Sequence, residues 1–157
     1  MRAYFFGNMY LSSIQQGIQA AHVVAEMALN YGHDEDGWFR EWADKHKTMI
    51  LLSAGYSDEI RSLVDFFGRK GTNDYPWAFF NEGVDALDGA LTCVGIILPE
   101  KIYELSKLIR HPDEFKIIEH SVVSSGEWFV NADGLIWDYT KWEWDLVKKL
   151  NEYGLAR

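Results

Sequence analysis

An apolar run at residues 2–9 passes without a break into a second stretch at 10–27, and that junction constrains the fold more than any other part of the chain. The run predicts a strand. The stretch after it predicts a helix, because its apolar residues Ile14, Ile18, Ala21, Ala25 and Ala28 step by four and three. Ser12 or Ser13 is placed to accept hydrogen bonds from the unpaired N–H groups that open such a helix. The stepped residues are expected to form one seam packed on a sheet. Gln15, Gln19, His22 and Glu26 keep the same rhythm beside it, so a polar stripe is expected along the seam. A polar stripe that begins where helix N–H groups point outward predicts a small-ligand site.

The remaining chain continues the strand–helix alternation. Tyr31-Gly32 is a helix stop, 33–37 an acidic loop, and Trp38, Phe39 and Trp42 predict a short amphipathic helix. Residues 47–54 read as a buried strand. Ser57, Asp58 and Glu59 open a second long helix, with acids at its positive end and Ile60, Leu63, Val64 and Phe67 facing inward. Gly68 and Gly71 close it. Residues 77–80 and 91–98 predict strands, and Pro99 starts a helix that ends before His111-Pro112. This pattern predicts an α/β layered domain with a mostly parallel sheet. Beyond it, 115–123 and 128–130 predict a β-hairpin joined through Ser124, Ser125 and Gly126, with a further turn at 131–134. Residues 140–153 predict a final helix. No Pro/Gly/Ser-rich linker interrupts the chain, so one domain over 1–157 is expected, with a core at 1–112 and an elaboration at 113–157.

Charge narrows the function. The 157 residues carry 15 Lys and Arg against 24 Asp and Glu, a net charge of −9. A protein that grips a nucleic-acid backbone gains most of its affinity by neutralising phosphates. The basic residues here are scattered among acids, which argues against an extended nucleic-acid footprint. No run reaches the length of a membrane helix and none resembles a signal peptide, so a cytoplasmic protein is expected. The single Cys93 lies in an apolar strand and is expected to be a buried, inert thiol. Late tryptophans at Trp128, Trp137, Trp142 and Trp144 predict packing surfaces, including the seam of a homodimer.

The segment Gln19-Ala20-Ala21-His22 resembles the Gln-x-x-His of the first helix of type II peptidyl-tRNA hydrolases. Thr92-Cys93-Val94-Gly95-Ile96-Ile97-Leu98-Pro99 resembles that family's late strand, and Phe80-Asn81-Glu82-Gly83 sits where it carries Asp-Ala-Gly. The resemblance covers roughly residues 1–110 and implies the three-layer fold of that family. It also implies a cleft between the start of the first helix and the loop at 81–85. The opening is similar, more loosely, to small proteins of tailed bacteriophages. Where the family carries a helix-start lysine this chain has Gln15, and where it carries an acid in the Asp-Ala-Gly loop this chain has Asn81. Neither amide supplies a cation or a general base. The framework remains while the positions for catalysis are altered, so no catalytic residue is assigned.

Other chemistries fare less well. His22 and Glu26 share a helix face, yet no third ligand is evident, and a histidine hydrogen-bonded within the fold is the expected role. His46-Lys47-Thr48 is a lone His-x-Thr element, for which His120-Ser121-Val122 is a weak second. Glu82, Asp85 and Asp88 form an acidic loop, best read as solvated. No metal or cofactor is therefore expected. The expected function is a non-catalytic binding protein for a small nucleotide-derived ligand, held by Ser12, Ser13, Gln15, Gln16, Gln19, His22, Asn81, Glu82 and Asp85. Phosphate is expected at the helix start and bases against Trp77 or Phe79. With the phage-like opening, this implies a sponge for a host immune signal such as a cyclic oligonucleotide or an ADP-ribose derivative. A divergent hydrolase of peptidyl-tRNA or a nucleotide, and a protein-binding module, are the alternatives.

Overall fold

The computed structural model describes residues 1–69, 73–111, 117–123, 126–131 and 136–156, with side chains described outside 112–137. The chain divides into two compact units, Met1–Leu98 with Tyr153–Arg157, and Pro99–Glu152. Six helices occur among the described residues, and no helix among them is long and apolar enough to cross a membrane.

The first unit is a four-stranded sheet in the order β2-β1-β4-β3, formed by β1 (Arg2–Gly7), β2 (Met49–Ser53), β3 (Trp77–Asn81) and β4 (Leu91–Leu98). Only β1 and β2 pair in parallel. β4 runs antiparallel to both of its neighbours, β1 and β3. The expectation of a mostly parallel sheet is corrected here, and the reason is the connection at 82–90. It holds only one helical turn, α4 (Val84–Leu87), and is shorter than the dozen or so residues a parallel crossover needs.

Side chains alternate across the sheet, so each face takes its own helices. On one face Ala3, Phe5, Ala78, Cys93 and Ile97 meet Ala20, Val23 and Met27 of α1 (Ser13–Tyr31). Phe39 of α2 (Trp38–Glu41) and Trp42, which opens a π-type turn at Trp42–His46, join the same cluster. Gly95 is needed in this layer: a Cβ there would lie 2.7 Å from the Phe5 ring and 3.1 Å from Val23. On the other face α3 (Ser57–Phe67) packs, with Phe67 against Phe6 at 5.9 Å and against Trp77 at 6.2 Å between ring centroids. α3 buries Ile60, Leu63, Phe66 and Phe67, so Phe66 takes the inward place expected of Val64. β2 is an outer strand in which only Leu52 is buried, rather than a wholly buried one.

α1 starts and stops as its sequence predicts. Ser12 caps it and Gly32 ends it. Its orientation is the reverse of the expected one. The buried residues are Gln16, Gln19, Ala20, Val23 and Met27, while Ile14 and Ile18, expected in the seam, are 77% and 50% exposed. Burial of the two glutamines is met unequally, since Gln19 is bonded at both ends of its amide, as described below, whereas the buried Gln16 Oε1 has no hydrogen-bond partner among the described residues. Gln16 Nε2 donates to Leu11 O at 2.9 Å, and its Oε1 lies over Gly7, where a Cβ would approach it to 2.6 Å.

In the second unit, α5 (Glu100–Arg110) and α6 (Lys141–Glu152) pack on each other. The antiparallel sheet is formed by β5 (Ile117–Val123), β6 (Gly126–Asn131) and β7 (Ile136–Tyr139). β7 adds a strand to the predicted hairpin. A reciprocal cap opens α6: Thr140 N–H donates to Glu143 Oε2 at 2.8 Å and Glu143 N–H to Thr140 Oγ1 at 3.1 Å. Lys101 Nζ lies 2.8 Å from the buried Glu143 carboxylate. Trp142 is buried and Trp144 stacks on Tyr139 at 5.2 Å. Lys70, Gly71, Pro112, Ser124, Ser125 and the turn at 132–135 lie outside the described residues, as do the side chains of His120, Trp128 and Trp137.

Candidate functional site

The first unit carries a cavity of about 510 Å³ where β1 ends and β4 and α3 begin. Asn8 builds its floor. The residue is buried, and its Nδ2 donates to Ser57 Oγ and to Leu91 O, both at 3.2 Å. Its Oδ1 accepts from Tyr10 N–H at 3.0 Å, which turns the chain back toward α1. The Ser57 hydroxyl donates to Leu91 O at 3.2 Å. One amide thus ties together the end of β1, the start of α3 and the start of β4.

The walls differ from the floor. Tyr10 and Tyr56 stand at the mouth with most of their surface exposed, and Leu11, Ala86, Leu87 and Ala90 supply apolar contact. Among the described residues, Asp88 is the one charged residue in the lining, and no lysine, arginine or histidine lines it. Asp88 sits in the left-handed region at φ 53°, which a short polar side chain tolerates better than most.

Thr92, also in the lining, links the cavity to α1. Its hydroxyl donates to Gln19 Oε1 at 2.8 Å, with Phe80 O a second acceptor at 3.2 Å. Gln19 Nε2 in turn donates to Glu82 Oε1 at 2.6 Å. The structure therefore brings Gln19 and Glu82 together. It does not gather the other expected ligand-binding residues around the same space, and none of the nine lines the cavity. Ser12 and Gln15 are spent on each other: Gln15 N–H donates to Ser12 Oγ at 3.3 Å, and Ser12 N–H donates to Gln15 Oε1 at 3.0 Å. Ser13 and Asp85 are exposed. Gln16 is buried under Gly7. His22 is exposed and stacks on Phe80 at 4.4 Å, which corrects the expected histidine hydrogen-bonded within the fold. Asn81 donates to Gly89 O at 3.2 Å and lines a second hollow of about 460 Å³ beside β3. Trp77 and Phe79 line that second hollow too, not the cavity at Asn8. The residues missed from sequence, Asn8, Tyr10 and Tyr56, lie beside strand and helix ends, and Asp88 belongs to the acidic loop expected to be solvated. The signal for them is the position of Asn8 directly after a strand, where an amide side chain can bond its own backbone.

Among the described residues no group of three or more His, Cys, Asp or Glu is placed to hold a metal ion. Cys93 is fully buried, and burial pushes its thiol up from 9.0 to about 12, against a smaller lowering by a hydrogen bond from the Phe6 backbone. The buried thiol expected from sequence is found. The folded state holds the proton where the unfolded chain releases it, so this group's contribution to stability is whole below pH 9. It is lost as pH rises toward 12, at up to about 1.4 kcal/mol per pH unit. Urea melts at pH 8 and pH 10.5 should therefore show a smaller alkaline loss for Cys93→Val than for the parent chain.

Comparison with protein-family models and with curated proteins returns no match to this chain.

Proposed function

We propose that the first unit binds, without cleaving it, a small nucleotide-derived ligand through its nucleoside end. The observation that carries this reading is the lining of the Asn8 cavity: two exposed tyrosine rings, apolar walls and one carboxylate, with no cation among the described residues. A flat base gains roughly 1–3 kcal/mol from stacking on an aromatic ring. The Asp88 carboxylate suits the paired hydroxyls of a ribose or the amino group of a base, since an ionised acceptor makes stronger hydrogen bonds than a neutral one. Phosphate finds no charge partner in the lining, and the reciprocal cap of Ser12 and Gln15 occupies the α1 terminus where phosphate was expected. The phosphates of a bound nucleotide are accordingly placed toward solvent.

Retention rather than turnover follows from the same lining. The Ser57 hydroxyl faces an amide and a carbonyl, neither of which can take its proton. Holding a nucleotide signal intact, as a sponge does, is the use to which such a site lends itself.

Calorimetric titration with adenosine, AMP, a cyclic dinucleotide and ADP-ribose tests the reading, with chromatography of the ligand afterwards. Nucleoside and nucleotide should bind within about tenfold of each other and be recovered intact. Tyr10→Ala and Asp88→Asn should each weaken binding by about one to two decades; asparagine is chosen because it keeps the left-handed backbone. Affinity that vanishes when the phosphate is removed, or recovery of cleaved product, would overturn the proposal.

A further inference from the structure

The two outer strands of the four-stranded sheet are treated differently. The chain covers β2 itself: Leu52 bridges Leu155, Ser53 N–H donates to Gly154 O at 2.9 Å, and Ala156 N–H donates to Leu51 O at 3.0 Å. β3 has no strand on its outer side among the described residues. Its ladder with β4 fixes which groups are left over. Ile97 N–H donates to Pro76 O at 2.9 Å, and in the same register Ala78 faces Gly95 and Phe80 faces Cys93. Bonded and non-bonded pairs alternate in an antiparallel ladder, so Pro76, Ala78 and Phe80 point toward β4. Trp77 and Phe79 turn their N–H and C=O groups outward.

Outer strands are ordinarily protected by a lysine, a proline within the strand, a bulge or a cover. β3 reads Trp-Ala-Phe-Phe-Asn, with no charge and with Phe79 44% exposed, and its bulge falls after Phe80, past both outward residues. The pattern is also self-complementary. In a two-fold pairing of β3 with itself about Ala78, Trp77 of each copy lies opposite Phe79 of the other. Those are the residues with free groups, and each such pair exchanges two N–H···O bonds. Ala78 then meets Ala78 of the second copy at the non-bonded position, where side chains come closest and a small one fits. Trp77 and Phe79 already stack within one chain at 6.3 Å, so the pairing makes a four-ring cluster on one face. On the other face, the hollow between β3 and Glu26, Asn30 and Tyr31 leaves room for the side chains of an incoming strand. Two chains of net charge −9 repel, and an uncharged strand is where they meet at least cost.

We propose that a second copy of this chain pairs antiparallel on β3, centred on Ala78, joining the two four-stranded sheets into one. A strand of this length gives a small interface, so the association is expected in roughly the micromolar range.

Sedimentation of the full chain from about 5 to 200 µM reads the result. The parent should pass from monomer to dimer across that range, and the dimer should strengthen as salt rises, because salt screens the like charges. Phe79→Lys should weaken dimerisation tenfold or more. Phe79→Pro should do the same by removing an outward N–H that β4 does not use, a place on an outer strand where proline is tolerated. Ile18→Lys, on the exposed face of α1, should leave the dimer unchanged. A parent that stays monomeric at 200 µM, a Phe79→Lys variant that still dimerises with parental strength, or dissociation by Ile18→Lys would each overturn the proposal. Phe79→Lys carries the test even where Phe79→Pro disturbs folding, since the Phe79 ring is partly in solvent.

Discussion

Phe5→Ala is expected to lower the stability of the chain by about 3–5 kcal/mol, the range for removing a buried phenylalanine from a packed core. Phe5 is fully buried at the centre of β1, between β2 and β4 and beneath α1. Its ring fills the space that Gly95 leaves by having no side chain, since a Cβ there would already be 2.7 Å from it. Alanine at position 5 therefore faces a neighbour that cannot expand to fill the hole, and the backbone of two sheet partners limits collapse. Equilibrium urea unfolding followed by tryptophan fluorescence checks this, with an unchanged denaturant slope expected alongside the lower midpoint. A loss below about 1 kcal/mol would mean that this core is loosely packed.

Asn8→Ala is expected to cost about 3 kcal/mol and to abolish binding of the proposed ligand, because it removes hydrogen bonds to three segments of the chain at once. Leu91 O loses one of its two side-chain donors, the Tyr10 N–H loses its acceptor, and Ser57 loses its donor. Asn8→Asp separates the two effects. Its carboxylate still accepts from Tyr10 N–H, but it cannot donate to Leu91 O and sets a charge against that carbonyl. Melting curves should place Asn8→Asp below the parent, with titrations on the folded fraction showing whether the cavity survives.

Element positions were more legible in the sequence than element orientations. Leu91–Leu98 is found at the residues predicted, because an unbroken apolar run ending at a proline admits one reading. Ser12 and Gly32 likewise announced the ends of α1. Its buried face was not legible, since hydrophobic periodicity assigns Ile14 and Ile18 inward and counts glutamine as polar. Gln19 goes inside because Thr92 and Glu82, far along the chain, satisfy its amide. Pairing direction in the sheet was hidden for a related reason. Strand–helix alternation suggests crossovers, whereas the brief 82–90 connection returns the chain as a hairpin would. Of the expected site, the Gln19–Glu82 contact is present. The cavity itself stands on Asn8, whose role depends on neighbours at Ser57 and Leu91 that no local pattern joins to it.

The covering of β2 by Gly154–Ala156 has a kinetic side. Ser53 and Gly154 are bonded across almost the whole second unit, so that contact closes a very long loop, and loop-closure entropy rises with the length of free chain it must tether. Once Pro99–Glu152 has folded, most of that loop is no longer free chain, and the closure costs less. The entropic cost of covering the β2 edge therefore depends on the order in which the two units fold.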